Sequence, residues 1–481
     1  MRKKVIFFSV VIILLVIYVY GILLIRPTFD DFTTLSAPKK DADWLQYFVC
    51  YGSTWRPVDA LLGYLNGIDT GIFPASNHLI VIAAHLTCVY LVFRLSQALG
   101  VSRQGATLAA LFYFISPCML GTVLSVDATN QTLCQLFGLI SVMVLVNGNS
   151  RRRYVLWAVL IFLSALSKDN GITWACTGPV LAYAKDDSQR RPFVRNFMLG
   201  IFVAVLYAVI RLSLPVTEIS NTDYGPLIYS FSYKLKAIAT WIGYTWSATD
   251  YISIFYAPER NFFIVAITFL LSAPIMLIAF LGNRRVWRRK KTWIIVAAIF
   301  ISASANLAIE MSVMNTYCSL ATSALLFGYL IDEYMKTTGN HRLVGILMSL
   351  YVVSAVIVDL HHWYNAWQTS LPSKVLAEDI IRKSHHKARK AYVITVKDKN
   401  PKYSSFCVPV EDVTGWGRDV LLETGYTWPE MLRDTTIDNT DDAVRKANVI
   451  AADKLREFDA VWIVLDRKKV IVRENDNNIT K

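Results

Sequence analysis

The stretch VIFFSVVIILLVIYVYGILLI, Val5 to Ile25, contains no charged residue and is long enough to span a bilayer as a helix, since a span needs about 20 apolar residues. It follows the basic start MRKK, as the apolar part of a signal peptide would. However, no small-residue cleavage site follows it, and it is longer than the apolar core of such a peptide. We therefore interpret this stretch as a retained first membrane helix.

The rest of the chain has the same character, with 54% hydrophobic and only 18% charged residues among 481. Soluble proteins contain about 25% charged residues. Further apolar runs lie at about 76–98, 104–123, 131–148, 154–167, 171–184, 196–215, 261–281, 292–309, 317–335 and 342–359. Together with the first run they predict about eleven transmembrane helices, that is, a multi-pass α-helical membrane protein.

The basic residues of the chain, whose net charge is +13, are concentrated in short loops between these runs. The loops are MRKK, Arg94 with Arg103, RRR at 151–153, RRPFVR at 190–195, NRRVWRRKK at 283–291 and MKTTGNHR at 335–342. If the runs cross alternately, all these loops lie on one side, which the positive-inside rule makes cytoplasmic. The basic charge therefore indicates topology rather than nucleic-acid binding. We expect a bacterial inner-membrane protein with a cytoplasmic N-terminus and a periplasmic C-terminus.

The pattern divides the chain into a membrane domain, 1–360, and a small extracytoplasmic α/β domain, 361–481, with β-rich runs at 391–396, 461–465 and 470–472. DRKK at 466–469 predicts a hairpin between the last two runs. The membrane domain has two long outer loops, about 26–75 and 215–261. The second loop contains the aromatic stretch Tyr233–Trp246, which predicts a helix lying in the membrane interface.

The two short runs at 154–167 and 171–184 are separated by the polar turn SKDN, Ser167 to Asn170. Basic segments on both sides of this pair place the turn on the outer side. Polar backbone at membrane depth is tolerated only where protein buries it or water reaches it. The turn therefore indicates a cavity.

The seven cysteines are scattered without a CxxC pair, and the seven histidines include no HExxH. These patterns predict neither a disulfide framework nor a metal site. We expect no cofactor, and the sequence leaves a requirement for a divalent metal open.

The acidic pair Asp30–Asp31, in PTFDDF, comes directly after the first helix. Two adjacent carboxylates there are either solvated charges at a helix end or working acids that face a substrate. Three more polar elements follow in order on the same predicted side, namely Trp55-Arg56-Pro57, FPASNHLIVIAAHL at 73–86 and ALSKDNGIT at 165–173.

This ordered set resembles the motifs of membrane glycosyltransferases with the C-type (GT-C) fold, in particular the protein O-mannosyltransferases and their relatives with tetratricopeptide repeats. The resemblance covers chiefly the first 175 residues. Here no such repeats occur, and Lys168-Asp169 stands where Lys-Glu is more usual. In its length and its soluble C-terminal part the chain also looks like bacterial and phage enzymes that modify O-antigen.

The resemblance implies transfer of a sugar from a polyprenyl-phosphate donor to an acceptor hydroxyl, with inversion at the anomeric carbon. It assigns Asp30 as the general base and Asp31 as the neighbour that orients the base or the acceptor. Arg56 and Lys168 are the candidate cations for the donor phosphate. The structural alternative for these two is ordinary ion pairing, for example between Lys168 and Asp169.

The remaining candidates would line the substrate cleft, although each also has a plainer explanation as a core or helix-end residue. They are Trp55, Asn77, His78, His85, Asp127, Asp169, Glu310 and Tyr317. His78 and His85 lie seven residues apart, on one helical face. Most histidines in such positions are hydrogen-bonded core residues.

We rank an extracytoplasmic glycan, lipid-linked or at the cell surface, as the first acceptor and a protein Ser/Thr hydroxyl as the second. The alternative function from a different class of protein is that of a polytopic transporter or lipid-carrier flippase. Transporters often carry internal repeats and charges near the membrane midplane. Here no repeat is found, and the charged residues concentrate at helix ends.

Overall fold

The computed structural model describes residues 55–59, 61–62, 75–123, 128–148, 150–186, 188, 190–214, 230–249, 262–308, 313–383, 391–396, 431–433, 437–454, 460–465 and 469–474. The first predicted helix and most of the long outer loops lie outside these residues. The boundary between the two predicted domains stays a prediction.

The membrane part of the described chain is helical throughout. Its α-helices are α1 (Ala75–Ala98), α2 (Arg103–Ile115), α3 (Leu120–Val123), α4 (Thr129–Val146), α5 (Arg151–Ser167), α6 (Trp174–Lys185), α7 (Arg190–Ser213), α8 (Phe231–Trp246), α9 (Phe262–Leu281), α10 (Lys290–Ala308), α11 (Val313–Thr338) and α12 (His341–Lys383). Short 3₁₀ helices occupy Pro117–Met119, Asp169–Thr173 and Arg284–Arg288.

A helix occupies each of the ten apolar runs after the first, and run 104–123 is broken at Ser116. Pro117 explains the break, because proline disfavours the helical conformation of the residue before it. Six described helices are long and apolar enough to cross a membrane, or seven if the bent pair around Ser116 counts as one span. The chain is an integral membrane protein, and the count of eleven spans stays a prediction.

Helix α11 is the central helix of the described bundle. Every residue from Thr316 to Met335 is buried. The helix packs against α2, α10, α1 and α8. Phe327 of α11 stacks on Phe112 of α2, with ring centroids 4.6 Å apart, and Phe112 stacks in turn on Tyr351 of α12 at 5.5 Å.

Small residues let α2 approach α11 closely. A Cβ atom at Gly328 would lie 2.6 Å from Cβ of Ala109, and one at Gly105 would lie 2.7 Å from Cβ of Asp332. Small residues at helix contacts are typical of membrane bundles, where close backbone approach replaces the hydrophobic driving force available in water.

The predicted basic loops that are described, all except MRKK, meet at one end of the bundle. Lys291 at the start of α10 donates a hydrogen bond to the carbonyl of Leu99, after α1. His341 at the start of α12 contacts Gln104 of α2, with 3.1 Å between Nδ1 and Oε1. The basic loops thus share one face of the bundle, and we call this face the basic end.

Helix α8 covers the stretch predicted as an interfacial helix, yet its contacts run along the depth of the bundle. Lys234 in its first turn donates to the carbonyl of Ala308, at the end of α10 opposite the basic end. Trp246 in its last turn contacts Phe280 of α9, near the basic end, with ring centroids 5.0 Å apart. Trp241 and Tyr244 are buried between these points, because one face of α8 packs on α11, while its other face is exposed.

The described segments of the C-terminal part contain four strands, β1 (Ala391–Thr395), β2 (Met431–Arg433), β3 (Ala460–Leu465) and β4 (Lys469–Glu474), and helix α13 (Thr440–Lys454). The sheet order is β2-β1-β3-β4, with β1 parallel to both neighbours and β3 antiparallel to β4. Leu465 pairs with Lys469, so the predicted hairpin is confirmed. Ala443 and Ala447 of α13 pack on Ile394 in a small separate core.

The contact of α7 with α6 generates a stability prediction. A Cβ atom at Gly200 would lie 2.1 Å from the carbonyl oxygen of Ala175. We expect Gly200→Ala to lower the free energy of unfolding by about 1–3 kcal/mol, because backbone atoms must move apart. Thermal unfolding in detergent measures the change. Gly345→Ala in α12 is the matched control, since nothing lies within 4 Å of its Cβ position. Equal stability of the two variants would contradict the close contact.

Candidate functional site

The candidate site lies at the end of the bundle opposite the basic end, where α5, α7 and α10 finish and α1, α4 and α11 begin. The segment 55–59, from the first predicted outer loop, lies against these helix ends. Residues far apart in sequence therefore meet here, as the order of the motifs predicts.

Tyr207 of α7 joins two of the predicted motifs. Its ring stacks on Trp55, with centroids 5.6 Å apart and planes inclined by 26°. Its hydroxyl donates a hydrogen bond to Oδ1 of Asp169 at 2.7 Å. Trp55, Ala165 and Tyr207 form a buried apolar cluster beneath this contact. The structure therefore brings Trp55 and Asp169 together.

Three cations are close in sequence to the residues of this cluster. Two of them are direct neighbours of a cluster residue, and the third lies one helical turn after Tyr207. Arg211, one turn after Tyr207, has Nε 3.9 Å from Oδ1 of Asp169. Arg56 follows Trp55, and its buried Nε has no hydrogen-bond partner among the described residues. Lys168 precedes Asp169; it is buried, with Nζ 3.6 Å from the sulfur of Met314.

The carboxylate of Asp169 remains partly open to solvent. Its side chain is 38% exposed, against 17% for Arg211. Among the described contacts, the carboxylate is held by Tyr207 and Arg211 rather than by the adjacent Lys168. The site thus combines a fixed acid with cations and an aromatic wall.

The segment 55–59 has a second anchor at Asp59. Its Oδ2 accepts a hydrogen bond from Nδ2 of Asn130, in the first turn of α4, at 3.2 Å. Both side chains are buried. The Trp55 stack and this hydrogen bond together fix the position of Arg56 between them.

A buried layer of amides and a thiol supports the turn that carries Lys168 and Asp169. Sγ of Cys318 accepts hydrogen bonds from Asn170 at 2.7 Å and from Gln131 at 2.8 Å. Asn170 also contacts Oδ1 of Asn306 at 3.4 Å and accepts from Cys134 at 3.3 Å. This layer connects α4, α10 and α11 to the turn. Most of its polar atoms partner each other, as polar groups at this depth require, while Oε1 of Gln131 is buried without a hydrogen-bond partner among the described residues.

The turn is also constrained by Gly171. A Cβ atom there would lie 2.3 Å from the carbonyl oxygen of Ser164. Only glycine therefore allows the 3₁₀ helix Asp169–Thr173 to fold back on the end of α5. Sequence reasoning placed this turn between two short helices, and the structure confirms that arrangement.

The two predicted histidines are in the interior. His85 is buried, accepts from or donates to the hydroxyl of Tyr317 at 2.9 Å, and stacks on Tyr113 with centroids 5.2 Å apart. His78, seven residues earlier on the same face of α1, is also buried. His85 and Tyr317 are thus brought together, within an aromatic core rather than at an open surface. Their role in a substrate cleft stays a prediction.

Several predicted site residues lie outside the described residues, namely Asp30, Asp31, Asp127 and Glu310. Asn77 belongs to the first turn of α1, and its side chain is also not among the described side chains. Their assigned roles stay predictions. Within the described part of the chain, no three His, Cys, Asp or Glu side chains are placed to hold a metal ion.

Sequence reasoning missed Tyr207, Arg211 and Asn170. Arg211 carried a usable signal, because it is a cation at the end of a long apolar run, on the side where the positive-inside rule predicts few cations. Tyr207 lies one turn before it on the same face. Asn170 belongs to the recognised SKDN turn, but nothing in its spacing predicts that it points inward.

No family model and no curated protein sequence matches this chain. Among solved structures, it is similar to ArnT from Cupriavidus metallidurans, crystallised with undecaprenyl phosphate bound. The TM-score is 0.50 at 12% identity, and the match covers 98% of each chain. The archaeal oligosaccharyltransferase AglB from Archaeoglobus fulgidus, in complex with an inhibitory peptide and a dolichol-phosphate, gives a TM-score of 0.42 at 10% identity, over 91% of this chain and 66% of AglB.

The similarity to ArnT extends over almost the whole of both chains. The protein therefore has the GT-C fold that the order of its motifs predicts. At so low a TM-score, the likeness to AglB carries no separate argument.

The buried amide layer generates a prediction about stability. We expect Asn170→Ala to lower the free energy of unfolding by about 1–3 kcal/mol, because Asn306 and Cys134 each lose a buried partner. Thermal unfolding of the purified protein measures the change. Gln97→Ala, at an exposed position in the last turn of α1, is the control and should unfold like the wild type. A wild-type unfolding temperature for Asn170→Ala would contradict the supporting role of this layer.

Proposed function

We propose that this protein is a membrane glycosyltransferase that moves a sugar from a polyprenyl-phosphate donor to an extracytoplasmic acceptor. The observation that carries the proposal is that the Trp55–Tyr207–Asp169 cluster brings together the three segments that carry Arg56, Lys168 and Arg211. The shared fold supports it, because the ArnT structure was solved with undecaprenyl phosphate bound.

The proposal gives the three cations a purpose. Ionised side chains near membrane depth are costly unless they are paired or functional. Asp169 lies beside Arg211, and the three cations are groups of the kind that bind the phosphate of a lipid donor. The guanidinium of Arg56 offers planar donors for phosphate oxygens, and Lys168 and Arg211 supply further charge. The exposed apolar face of α7, which includes Val205, Val209 and Leu212, would lie beside the polyprenyl chain.

The reaction would be a single inverting displacement. The acceptor oxygen attacks the anomeric carbon, the bond from that carbon to the phosphate oxygen breaks, and the polyprenyl phosphate leaves. A hydroxyl is a weak nucleophile, so a carboxylate must take its proton in the transition state. Asp30 is assigned this role, on the face opposite the leaving phosphate, and no covalent intermediate forms. Asp31 orients the base or the acceptor.

A glycan is the acceptor that we propose, lipid-linked or at the cell surface, such as O-antigen. Transfer would occur on the periplasmic side of a bacterial inner membrane, since the candidate site lies opposite the basic end. The C-terminal strands and α13 would help to select the acceptor.

Replacement of the proposed base generates the first functional prediction. We expect Asp30→Asn to lower kcat for sugar transfer by about 10²–10⁴-fold, the usual contribution of a positioned general base. The assay uses purified protein, a polyprenyl-phosphate sugar and a glycan acceptor in detergent. Gln97→Glu, at an exposed position in the last turn of α1 near the basic end, is the control and should retain activity.

Three results of this assay would count against the proposal. Wild-type turnover by a well-folded Asp30→Asn would remove Asp30 as the base. Transfer to a Ser/Thr peptide but not to glycans would replace the acceptor class. Movement of the lipid donor across vesicles without transfer to any acceptor would favour the flippase.

The phosphate role generates a separate prediction about donor kinetics. We expect Arg56→Gln to lower kcat/KM for the donor by about 10–100-fold, the range of a hydrogen bond to a charged group. Arg56→Lys should recover part of that loss, because charge remains while the planar donors are lost. Arg342→Gln, an exposed cation at the basic end, serves as the control. Unchanged donor kinetics in Arg56→Gln would rule out phosphate contact by Arg56.

A further inference from the structure

A cavity lies at the basic end, far from the candidate site. Its volume is about 330 Å³, and it lies between the last turn of α4, the last turns of α6 and the first turns of α7. The lining combines apolar groups, among them Pro179 and Phe193, with the polar side chains of Lys185 and Asn196. Nothing in the proposed transfer reaction uses this cavity.

One cation lines the cavity and others lie near its wall, where a carbonyl and aromatic rings hold them. Lys185 Nζ donates to the carbonyl oxygen of Val146 at 2.8 Å, which fixes the ammonium at the wall and uses one of its three donors. Lys290 Nζ donates to the hydroxyl of Tyr183 at 2.5 Å and lies 4.7 Å from the centroid of its ring. Tyr183 itself lines the cavity.

A third cation reaches the opposite wall through a tyrosine. The guanidinium carbon of Arg195 lies 5.1 Å from the ring centroid of Tyr154. The hydroxyl of Tyr154 donates to Oδ1 of Asn196, a lining residue, at 3.0 Å. Arg190 and Arg191 begin α7 beside this wall, and both are exposed.

One carboxylate, Asp186, also lines the cavity. It accepts hydrogen bonds from the backbone and the hydroxyl of Ser188, with Oδ1 3.2 Å and 2.6 Å from the two donors. Among the described residues, the wall thus carries one cation, Lys185, and one acid that already accepts from Ser188. Further cations, Arg190, Arg191, Arg195 and Lys290, lie near the same wall, so the surroundings of the cavity are basic.

An apolar surface begins directly beside the cavity. Phe193 stacks on Tyr183, with ring centroids 4.5 Å apart. The next outward-facing residues of α7, Val194, Met198 and Phe202, are all exposed apolar side chains in a membrane helix. A ligand in the cavity would therefore meet cations on one side and the hydrocarbon of the bilayer on the other.

We propose that this cavity binds the phosphate of an anionic phospholipid headgroup, with the acyl chains along the exposed face of α7. Basic pockets between membrane helices are suited to such headgroups. The adjoining apolar face favours a lipid over a free phosphate ion, since a free ion gains nothing from Val194, Met198 or Phe202. The tyrosine-held cations are also fixed in place before any ligand arrives, which lowers the ordering cost of binding.

The test compares lipid retention by the full-length protein in nanodiscs that contain equal amounts of phosphatidylglycerol and phosphatidylcholine. Lipids that stay bound after transfer into detergent are counted by native mass spectrometry. We expect the wild type to retain phosphatidylglycerol preferentially. The Lys185→Gln/Lys290→Gln double variant should bind it more weakly, by about fivefold for each cation removed.

Two further variants separate the cavity from general charge and from misfolding. Arg103→Gln/Arg342→Gln removes two exposed cations from the same end of the bundle but away from the cavity, and should retain the lipid. Ala182→Phe adds volume at the cavity wall without changing charge, and should displace the lipid. This variant tests the site even if the double lysine variant fails to fold.

Equal retention of the two lipids by the wild type would overturn the proposal, as would wild-type retention of phosphatidylglycerol by Ala182→Phe. Inorganic phosphate is added as a competitor in a parallel arm. Binding of inorganic phosphate without retained lipid would assign the cavity to a free anion and overturn the lipid assignment. Sugar transfer is not read out, so failure here leaves the proposed reaction unaffected.

Discussion

The arrangement of the candidate site depends on one constraint, which is that the turn between α5 and α6 must satisfy its polar groups inside a membrane bundle. Asn170 meets this requirement by donating to Cys318 and to Asn306, and Gly171 lets the chain fold back against Ser164. With the turn held in this way, Asp169 faces Tyr207 and the outer end. A turn whose amides lacked these partners would cost several kcal/mol in hydrocarbon.

The second organising feature is the separation of charge between the two ends of the bundle. At the basic end, cations bind helix-end carbonyls and tyrosines, as Lys291 does with Leu99 and Lys290 with Tyr183. At the opposite end, the described cations include Arg56, Lys168, Arg211 and Lys234, and they lie near Asp59, Asp169 and one aromatic pair. These cations are exceptions to the electrostatic rule that orients the helices. Arg56, Lys168 and Arg211 are the ones that we propose to contact the donor phosphate.

The two proposed anion sites differ in the hydrogen-bond partners that hold their cations. At the outer end, Arg56 has a buried Nε without a hydrogen-bond partner among the described residues, so a ligand would complete its contacts. At the basic end, Lys185 and Lys290 are already held by a carbonyl and a tyrosine. A substrate phosphate must arrive and leave during turnover. A lipid headgroup can remain bound as part of the boundary of the protein.

The sequence by itself determined the class of the protein and the order of its motifs. Uninterrupted apolar runs predict membrane helices because backbone hydrogen bonds must be satisfied within each segment, and the basic loops predict which helix ends lie together. The pairing of Trp55 with Asp169 through Tyr207, the inward direction of Asn170 and the course of α8 through the bundle were decided by tertiary structure. These features depend on which faces of distant helices meet. Most membrane helices are apolar on all sides. The sequence pattern alone therefore carries little information about how each helix is rotated about its axis.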